Sequence, residues 1–353
     1  MKQESRNKLS VIVSESFDPY ENLALEKFLL ENVIPGQVFL YLWCNERTVV
    51  CGRNQNIWKE CRVDALKKDG GHPARRLSGG GAVYHDKGNL NFTFIACQGE
   101  YSLERQLQVI IEAARSFGID AVKTGRNDIT VSGGKFSGNA FYKTNPNNFA
   151  DRIVRLYHHG TLMVEVDKEI LSAYLNPDKE KYASKGVDSV KSRVCNLKEF
   201  NSAVTVPAMA GAMVSAFEKV YRADADIWSF SLSGAFAAKI MPAQPRFKLS
   251  KSEEECISRG AAFFASDEWL YRNNIKFNAR FSRRFDFGDF DLRIFAKNGV
   301  ILDAAVYSDA MDGEWVLRME QRIKQLEGEN YSIEALRTAI ADESISEVLF
   351  EDA

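Results

Sequence analysis

The sequence predicts an α+β protein with a large N-terminal domain and a small C-terminal one. Three observations point there. The chain has 353 residues, about twice the ~150 of one average domain. Helical and strand-like runs follow one another irregularly through the first two hundred residues, as mixed sheets with flanking helices require. After Cys195 the pattern changes, and the chain ends in a hairpin followed by two helical segments. The predicted division is 1–250, including a connecting stretch, and 265–353.

Each element has its own signal. In "SFDPYENLALEKFLLENV", Asp18 is placed to cap a helix, Pro19 suits its first position, and Leu23, Leu25, Phe28, Leu29 and Leu30 give it an apolar side. "QVFLYLWC", "RTVVCG" and "LNFTFIA" read as buried strands, rich in β-branched and aromatic residues. "SLERQLQVIIEAARSFG" is an amphipathic helix that stops at Gly118. In "NDITVSGGKFSGNAFYK" two strands meet at a tight turn around Gly133-Gly134, and period-2 alternation puts Lys135, Ser137 and Asn139 on one face. "KTNPNNFADR" (143–152) is an exposed loop, "LYHHGTLMVEV" a strand, and "EILSAYLN" a short helix. A polar loop carrying Lys179, Lys181, Lys185, Lys191 and Arg193 follows. "VPAMAGAMVSAFEKVY" is helical, 222–250 has weak periodicity, and Asn298-Gly299 turns the C-terminal hairpin before helices near 314–326 and 332–341.

Composition narrows the function. Hydrophobic residues are 45% and charged residues 27%, as in an ordinary globular protein with a sizeable core. A net charge of −2 gives no basic field for nucleic acid. No apolar run is long enough to cross a membrane, and the polar start "MKQESRNKLS" lacks the apolar core of a signal peptide. The six cysteines have no CxxC spacing, which argues against a zinc site or disulfide framework and for a reducing cytoplasm.

The most informative stretch is "PARRLSGGGAVYHD", residues 73–86. Three consecutive glycines are entropically expensive: either they make a tight turn between strands, which needs only one or two of them, or something comes close to that backbone, and beside two arginines an anion is the first candidate. The run matches neither the P-loop, which needs a closing Gly-Lys-Ser/Thr, nor the dinucleotide fingerprint, which leads into a helix. Lys135, just after a glycine turn, is either an exposed hairpin lysine or a cation pointing into a pocket toward a carboxylate or phosphate. His158 and His159 face opposite ways on a strand, so at most one lines a site.

Taken together, "SFDPYENLALE", "GRNQNIWKEC", "RRLSGGGAVYHDKGNLNFTF", "GRNDI", "GKFSGNAF", "HHGTLM" and "SKGVDSVKSRVCNL" resemble, in order, the two-domain bacterial lipoate–protein ligase family over roughly residues 10–200. "RRFDFGDFDLRIFAKNGVILDAAVYSD" is similar to the family's small accessory domain. The resemblance implies the catalytic fold shared with biotin ligases and class II synthetases. It also implies an ATP-dependent reaction in two steps. Lipoate and ATP give lipoyl-AMP and pyrophosphate; a lysine of an acceptor lipoyl domain (E2 subunits, H protein) then displaces AMP. Residue by residue, Arg76, Ser78, Gly79, Gly80, Gly81, Ala82 and Val83 match the loop around the acyl-adenylate. Lys135 matches the catalytic lysine at the carboxylate and phosphates, Asn127 and Asp128 the pair beside the phosphates with Asp128 toward Mg²⁺, and Lys185 a basic loop over the adenylate. Leu23, Leu25 and Trp43, with Arg76, His85, His159 and Gly160 beside them, match the lipoate pocket; for the two leucines, helix core is an equal reading. The longer 143–152 loop is a departure, placed either as a lip over the acyl slot or as an acceptor contact. The competing functions are an ATP-independent octanoyl or lipoyl transferase, which needs a cysteine nucleophile, and a non-catalytic lipoate-binding protein.

Overall fold

In the computed structural model, residues 8–124, 128–176, 194–232, 240–242, 244–272 and 275–351 are described. The strands are β1 (Lys8–Ser14), β2 (Gln37–Trp43), β3 (Thr48–Cys51), β4 (His72–Arg75), β5 (Val83–His85), β6 (Asn89–Cys97), β7 (Val122–Thr124), β8 (Asp128–Val131), β9 (Gly134–Lys143), β10 (Arg155–Met163), β11 (Ala225–Phe230), β12 (Ala279–Phe285), β13 (Gly288–Lys297) and β14 (Val300–Tyr307). Among the described residues eight of them form one sheet in the order β11-β1-β2-β6-β10-β9-β8-β7. β1 pairs in parallel with β11 and β2, and the rest of that sheet is antiparallel. Two three-stranded sheets, β4-β3-β5 and β12-β13-β14, complete the set.

The apolar runs are continuous because the large sheet is covered on both faces. Val11, Leu40, Leu42, Phe92 and Phe94 face one core, shared with helices Leu103–Arg115 and Val206–Tyr221. The alternate residues Ile12, Phe39, Tyr41 and Ile95 face a second, shared with helices Pro19–Asn32 and Lys251–Ala265. The first of these helices starts as its sequence requires, with Asp18 Oδ1 accepting from the N–H groups of Tyr20 at 2.7 Å and Glu21 at 3.0 Å. It is buried on several sides, sandwiched between the sheet and the Lys251–Ala265 helix, where Gly260 passes close to Ala24. The C-terminal residues have their own core, with Phe290, Leu292, Ile294 and Val306 of the sheet packed on Val316, Ile323, Leu336 and Ile340 of two helices. No helix among the described residues is long and apolar enough to cross a membrane.

Several elements differ from the sequence expectation. β11 falls in the stretch of weak periodicity and β1 in the polar start; they pair with each other across two hundred residues, so neither carries a complete local signal. The helices Lys251–Ala265 and Glu343–Leu349 were not anticipated. The β8–β9 turn is centred on Ser132 (φ 49°) and Gly133 (φ 82°), one residue earlier than expected, because a two-residue turn of this hand needs positive φ at both positions. Asn298 (φ 53°) and Gly299 (φ 77°) form the predicted hairpin turn. On β9 the register slips: Ile129 opposes Ser137, whereas Thr130 opposes Lys135, leaving Phe136 as the extra residue. That bulge corrects the expected face, since it puts Lys135 with Gly138 and turns Ser137 and Asn139 to the other side.

Arg75, at the end of β4 and almost fully buried, ties the two halves together. Its Nη1 donates to the carbonyls of Gly52, Arg53 and Gln55 at 3.1, 2.9 and 2.7 Å, and its Nε and Nη2 donate to those of Trp269 and Leu270 at 2.7–3.2 Å. Burial pulls the guanidinium down to about 10, still charged at neutral pH. Arg75→Met removes the donors and leaves those carbonyls without them, so we expect a loss of at least about 3 kcal/mol, read as a lower urea midpoint; a midpoint within error of the parent protein contradicts this role.

Candidate functional site

A cavity of about 210 Å³ opens over the face of the large sheet, between β2, β6, β10 and β9, the glycine segment and the C-terminal unit. The glycine segment is held from inside. Arg76 donates from Nε to Ser78 Oγ at 3.0 Å, from Nη1 to the Val50 carbonyl at 3.1 Å, and from Nη2 to the carbonyls of Gly79 and Gly81 at 2.7 and 2.8 Å. Arg76 therefore shapes the loop while presenting one side of its guanidinium to the cavity. What presses on the bare backbone is another backbone. A Cβ on Gly79 would lie 2.4 Å from the Ala310 carbonyl oxygen and 2.7 Å from that of Met311. Gly80 adopts φ +89° and donates its N–H to Ala310 O at 3.1 Å. Two further contacts hold the C-terminal unit there: Asn54 Nδ2 donates to Gly313 O at 2.7 Å, and Arg53 pairs with Glu314 at 2.6 Å.

At one end of the cavity Lys135 Nζ pairs with Asp128 Oδ1 at 2.6 Å, both side chains mostly buried. Gly138 leaves room for this: a Cβ there would come within 2.9 Å of Nζ. Nearer the centre, His159 links Glu26 to Ser78, with Nδ1 at 2.8 Å from Glu26 Oε1 and Nε2 at 2.8 Å from Ser78 Oγ. Glu26 Oε1 also accepts from Thr93 Oγ1 at 2.7 Å, which accepts in turn from Trp43 Nε1 at 3.1 Å. His158 faces the other way, stacked on Phe141 with ring centroids 4.8 Å apart.

The lining also holds an apolar set, Leu23, Trp43, Val50, Met163 and Leu171. His85 stands edge-on to Trp43 with ring centroids 6.0 Å apart. Burial, with Arg76 and His159 nearby, pulls the His85 imidazole down to about 3, so it is neutral at physiological pH.

Of the residues singled out in the sequence, Leu23, Trp43, Arg76, Gly80, Gly81, Ala82, Val83, His85, Asp128, Lys135, His159 and Gly160 line this one cavity. Ser78 and Gly79 lie behind its wall, and Leu25 belongs to the core beneath. Asn127, Lys185 and the basic loop around Lys185 fall outside the described residues. The 143–152 loop does not reach the cavity; Asp151 pairs with Arg155, whose Nε donates to Val33 O at 3.0 Å. Sequence reasoning missed Glu26, whose signal is a carboxylate inside the apolar stretch "LALEKF", and missed Arg284, Phe287, Asp309 and Met311, which the C-terminal unit adds to the wall.

The model of the lipoyl protein ligase A/B catalytic domain matches residues 18–218, and that of the bacterial lipoate protein ligase C-terminus matches 274–352. The chain belongs to the lipoate–protein ligase family. This ligase is 35% identical over 337 residues to lipoate-protein ligase A of Bdellovibrio bacteriovorus, covering 94% of this chain and 91% of that protein. It is 34% identical over 328 residues to lipoate-protein ligase A of Psychrobacter cryohalolentis, covering 93% and 91%. Among solved structures, P. falciparum LipL1 in complex with lipoate superposes with a TM-score of 0.74 at 29% identity, over 97% of this chain and 98% of that one. A bipartite lipoate protein ligase of Thermoplasma acidophilum shares the fold with a TM-score of 0.60 at 21% identity, over 76% of this chain and 99% of that one. Relatives this similar along most of both chains make this ligase an enzyme of the lipoate-ligase class.

Burial pulls both His85 and His158 down to about 3, against about 6.5 in an unfolded chain. Both are therefore neutral in the folded ligase wherever the unfolded chain protonates them, so their contribution is complete above pH 6.5 and lost progressively as pH falls toward 3. His158→Gln removes one of these two terms. The stability gap between parent and variant should narrow by about 2 kcal/mol from pH 7 to pH 5, measured by urea unfolding; a constant gap means the His158 imidazole titrates alike in the folded and unfolded chain.

Proposed function

We propose that this ligase activates lipoate with ATP to lipoyl-AMP, releasing pyrophosphate, and passes the lipoyl group to a lysine of acceptor lipoyl-domain proteins such as E2 subunits and H protein. The observation that carries this reading is the placement of a buried lysine and a glycine loop on a single cavity whose lining also holds an apolar set. A lipoate oxygen attacking the α-phosphorus brings two anions together, and a preplaced cation lowers that barrier. Lys135 is assigned this role. In the second step the acceptor amine attacks the acyl carbon and gives up a proton, the bond from that carbon to the bridging oxygen breaks, and AMP leaves; Lys135 draws electron density from the acyl carbonyl.

Asp128 holds the Lys135 ammonium and is the candidate ligand for Mg²⁺. Among the described residues no three His, Cys, Asp or Glu side chains gather into a metal cage. One carboxylate nevertheless fits magnesium, which binds through one or two carboxylates, water and substrate phosphates. When bound, the ion neutralises charge on those phosphates. The proposed division is a catalytic unit over 1–250 and an accessory unit over 265–353, supported by the separate core of the C-terminal residues. Residues 251–265 are added to the catalytic side, because their helix packs on Pro19–Asn32. The proposed compartment is the cytoplasm.

The cysteines favour ATP-dependent chemistry over transfer from a carrier. None lines the cavity. Cys44, Cys51, Cys61, Cys97 and Cys195 are buried, and burial pushes their thiols up, Cys195 to about 11 and Cys61 to about 12, away from thiolate character. Incubation with lipoate, ATP and Mg²⁺ without acceptor should yield lipoyl-AMP and pyrophosphate; folded protein that yields neither, yet transfers acyl groups from a carrier, is a transferase. In the same assay Lys135→Ala should lower pyrophosphate release by at least about 100-fold with an unchanged circular dichroism spectrum, and near-parental turnover would remove Lys135 from the chemistry.

A further inference from the structure

The C-terminal unit brings a guanidinium of its own to the cavity wall. Among the described residues, the arginines and lysines lining the cavity are Arg76, Lys135 and Arg284. Arg76 gives its donors to Ser78 and to the carbonyls of Val50, Gly79 and Gly81. Lys135 faces Asp128 and is assigned to the meeting of carboxylate and α-phosphorus. Arg284 stands on the opposite unit, and its side chain keeps 22% of its surface exposed.

The hairpin around Arg284 is built to aim it. On β12 it is the cross-strand partner of Asp289 on β13. Its Nη1 lies 2.5 Å from Asp289 Oδ1 and 3.7 Å from Asp309 Oδ2. Asp309, just past β14, is fixed in turn, because its Oδ1 accepts from the Asp289 N–H at 2.8 Å. That approach requires Gly288, where φ is +137° and a Cβ would lie 2.4 Å from the same oxygen. Lys59 of the catalytic unit reaches Asp289 Oδ2 at 3.5 Å, which ties the group to the large domain. The residue after Asp309 is Ala310, whose carbonyl takes the Gly80 N–H. Arg284 thus borders the glycine loop on the side covered by the C-terminal unit. A staple for the hairpin needs Arg284 and Asp289 alone; it needs neither a second carboxylate from beyond β14 nor a place on the cavity wall.

We propose that Arg284 binds the β- and γ-phosphates of ATP and stabilises the pyrophosphate that leaves during adenylation. This rests on the ATP-dependent reading above and deepens it. As the lipoate oxygen bonds to the α-phosphorus, the bond from that phosphorus to the oxygen shared with the β-phosphate breaks. The electron pair stays on that oxygen, so negative charge builds on the departing pyrophosphate. A guanidinium already in place there favours the transition state over the ground state. Arginine suits this position because its planar fork meets two phosphate oxygens at once, where an ammonium acts as a point charge. Asp289 and Asp309 hold the fork in position until phosphate oxygens compete for it.

The test separates the outer phosphates from the rest of the nucleotide. Calorimetry on the full chain, with Mg²⁺ and without lipoate, measures ATP and AMP binding while no adenylation occurs. Arg284→Gln should weaken ATP by about tenfold or more, as loss of a charge-assisted hydrogen bond does, and leave AMP unchanged. With lipoate present, pyrophosphate release should fall about 100-fold, whereas transfer from supplied lipoyl-AMP to an E2 lipoyl domain should keep the parental rate. Arg284→Lys retains the charge and the hairpin pair, so it should weaken ATP by a smaller factor; it decides the matter if thermal melting shows Arg284→Gln unfolded. Parental ATP affinity in every folded variant overturns the proposal. Equal losses for ATP and AMP, or slowed transfer from lipoyl-AMP, also overturn it, since a merely structural arginine produces those. ATP that fails to bind the parent protein, with no lipoyl-AMP formed, instead overturns the ATP-dependent reading itself.

Discussion

Two adjacent buried guanidinium groups, Arg75 and Arg76, underlie the architecture of the site. A loop without side chains cannot pack itself, and its carbonyls need donors once water is excluded. Arg76 supplies them from within, closing the glycine segment around its own head group. Arg75, one residue earlier and facing the opposite way, does the same for the turn after β3 and for Trp269 and Leu270 leading into the C-terminal unit. One dipeptide thus sets both the shape of the cavity wall and the attachment of the structure that borders it. The third glycine-flanking neighbour, Ser78, extends the arrangement to His159 and Glu26, so the wall and the floor of the cavity form one hydrogen-bonded unit.

The cavity is polarised by the order of strands in the sheet. β8 and β9 bring Asp128 and Lys135; β10 brings His159 and a glycine; β6 and β2 bring Asn91 and Trp43. A substrate lying across the strands passes from charge to hydrocarbon without a change of direction. The bulge at Phe136 matters to this gradient, because without it alternation would carry Lys135 to the same side as Ser137 and Asn139. Asn139 instead serves the opposite face, accepting a hydrogen bond from His158 at 2.8 Å within an aromatic surround.

Much of this was legible in the chain. The Asp18 cap, the buried strands, the Asn298-Gly299 hairpin and the glycine run with its arginines all rest on local chemistry, and local chemistry is what a sequence displays. Twelve of the residues that line the cavity could be named for the same reason, through runs that match a family. What escaped depends on partners far away. β11 is a strand because β1 lies beside it, and the Lys251–Ala265 helix is held by the face of Pro19–Asn32. Arg76 reads in the sequence as an anion ligand, and nothing local shows that Val50, Ser78, Gly79 and Gly81 also accept from it.

The Gly80 N–H has one hydrogen to give, and in this structure it gives it to Ala310. An oxyanion that takes that hydrogen must displace the carbonyl, so filling the cavity there and seating the C-terminal unit are competing equilibria. The competition is reciprocal: whatever free energy seats the unit is subtracted from the affinity of the anion, and the anion loosens the unit by the same amount. That coupling reaches only an occupant that takes the Gly80 N–H, and it works against the other contacts that seat the unit, Asn54 on Gly313 and Arg53 on Glu314.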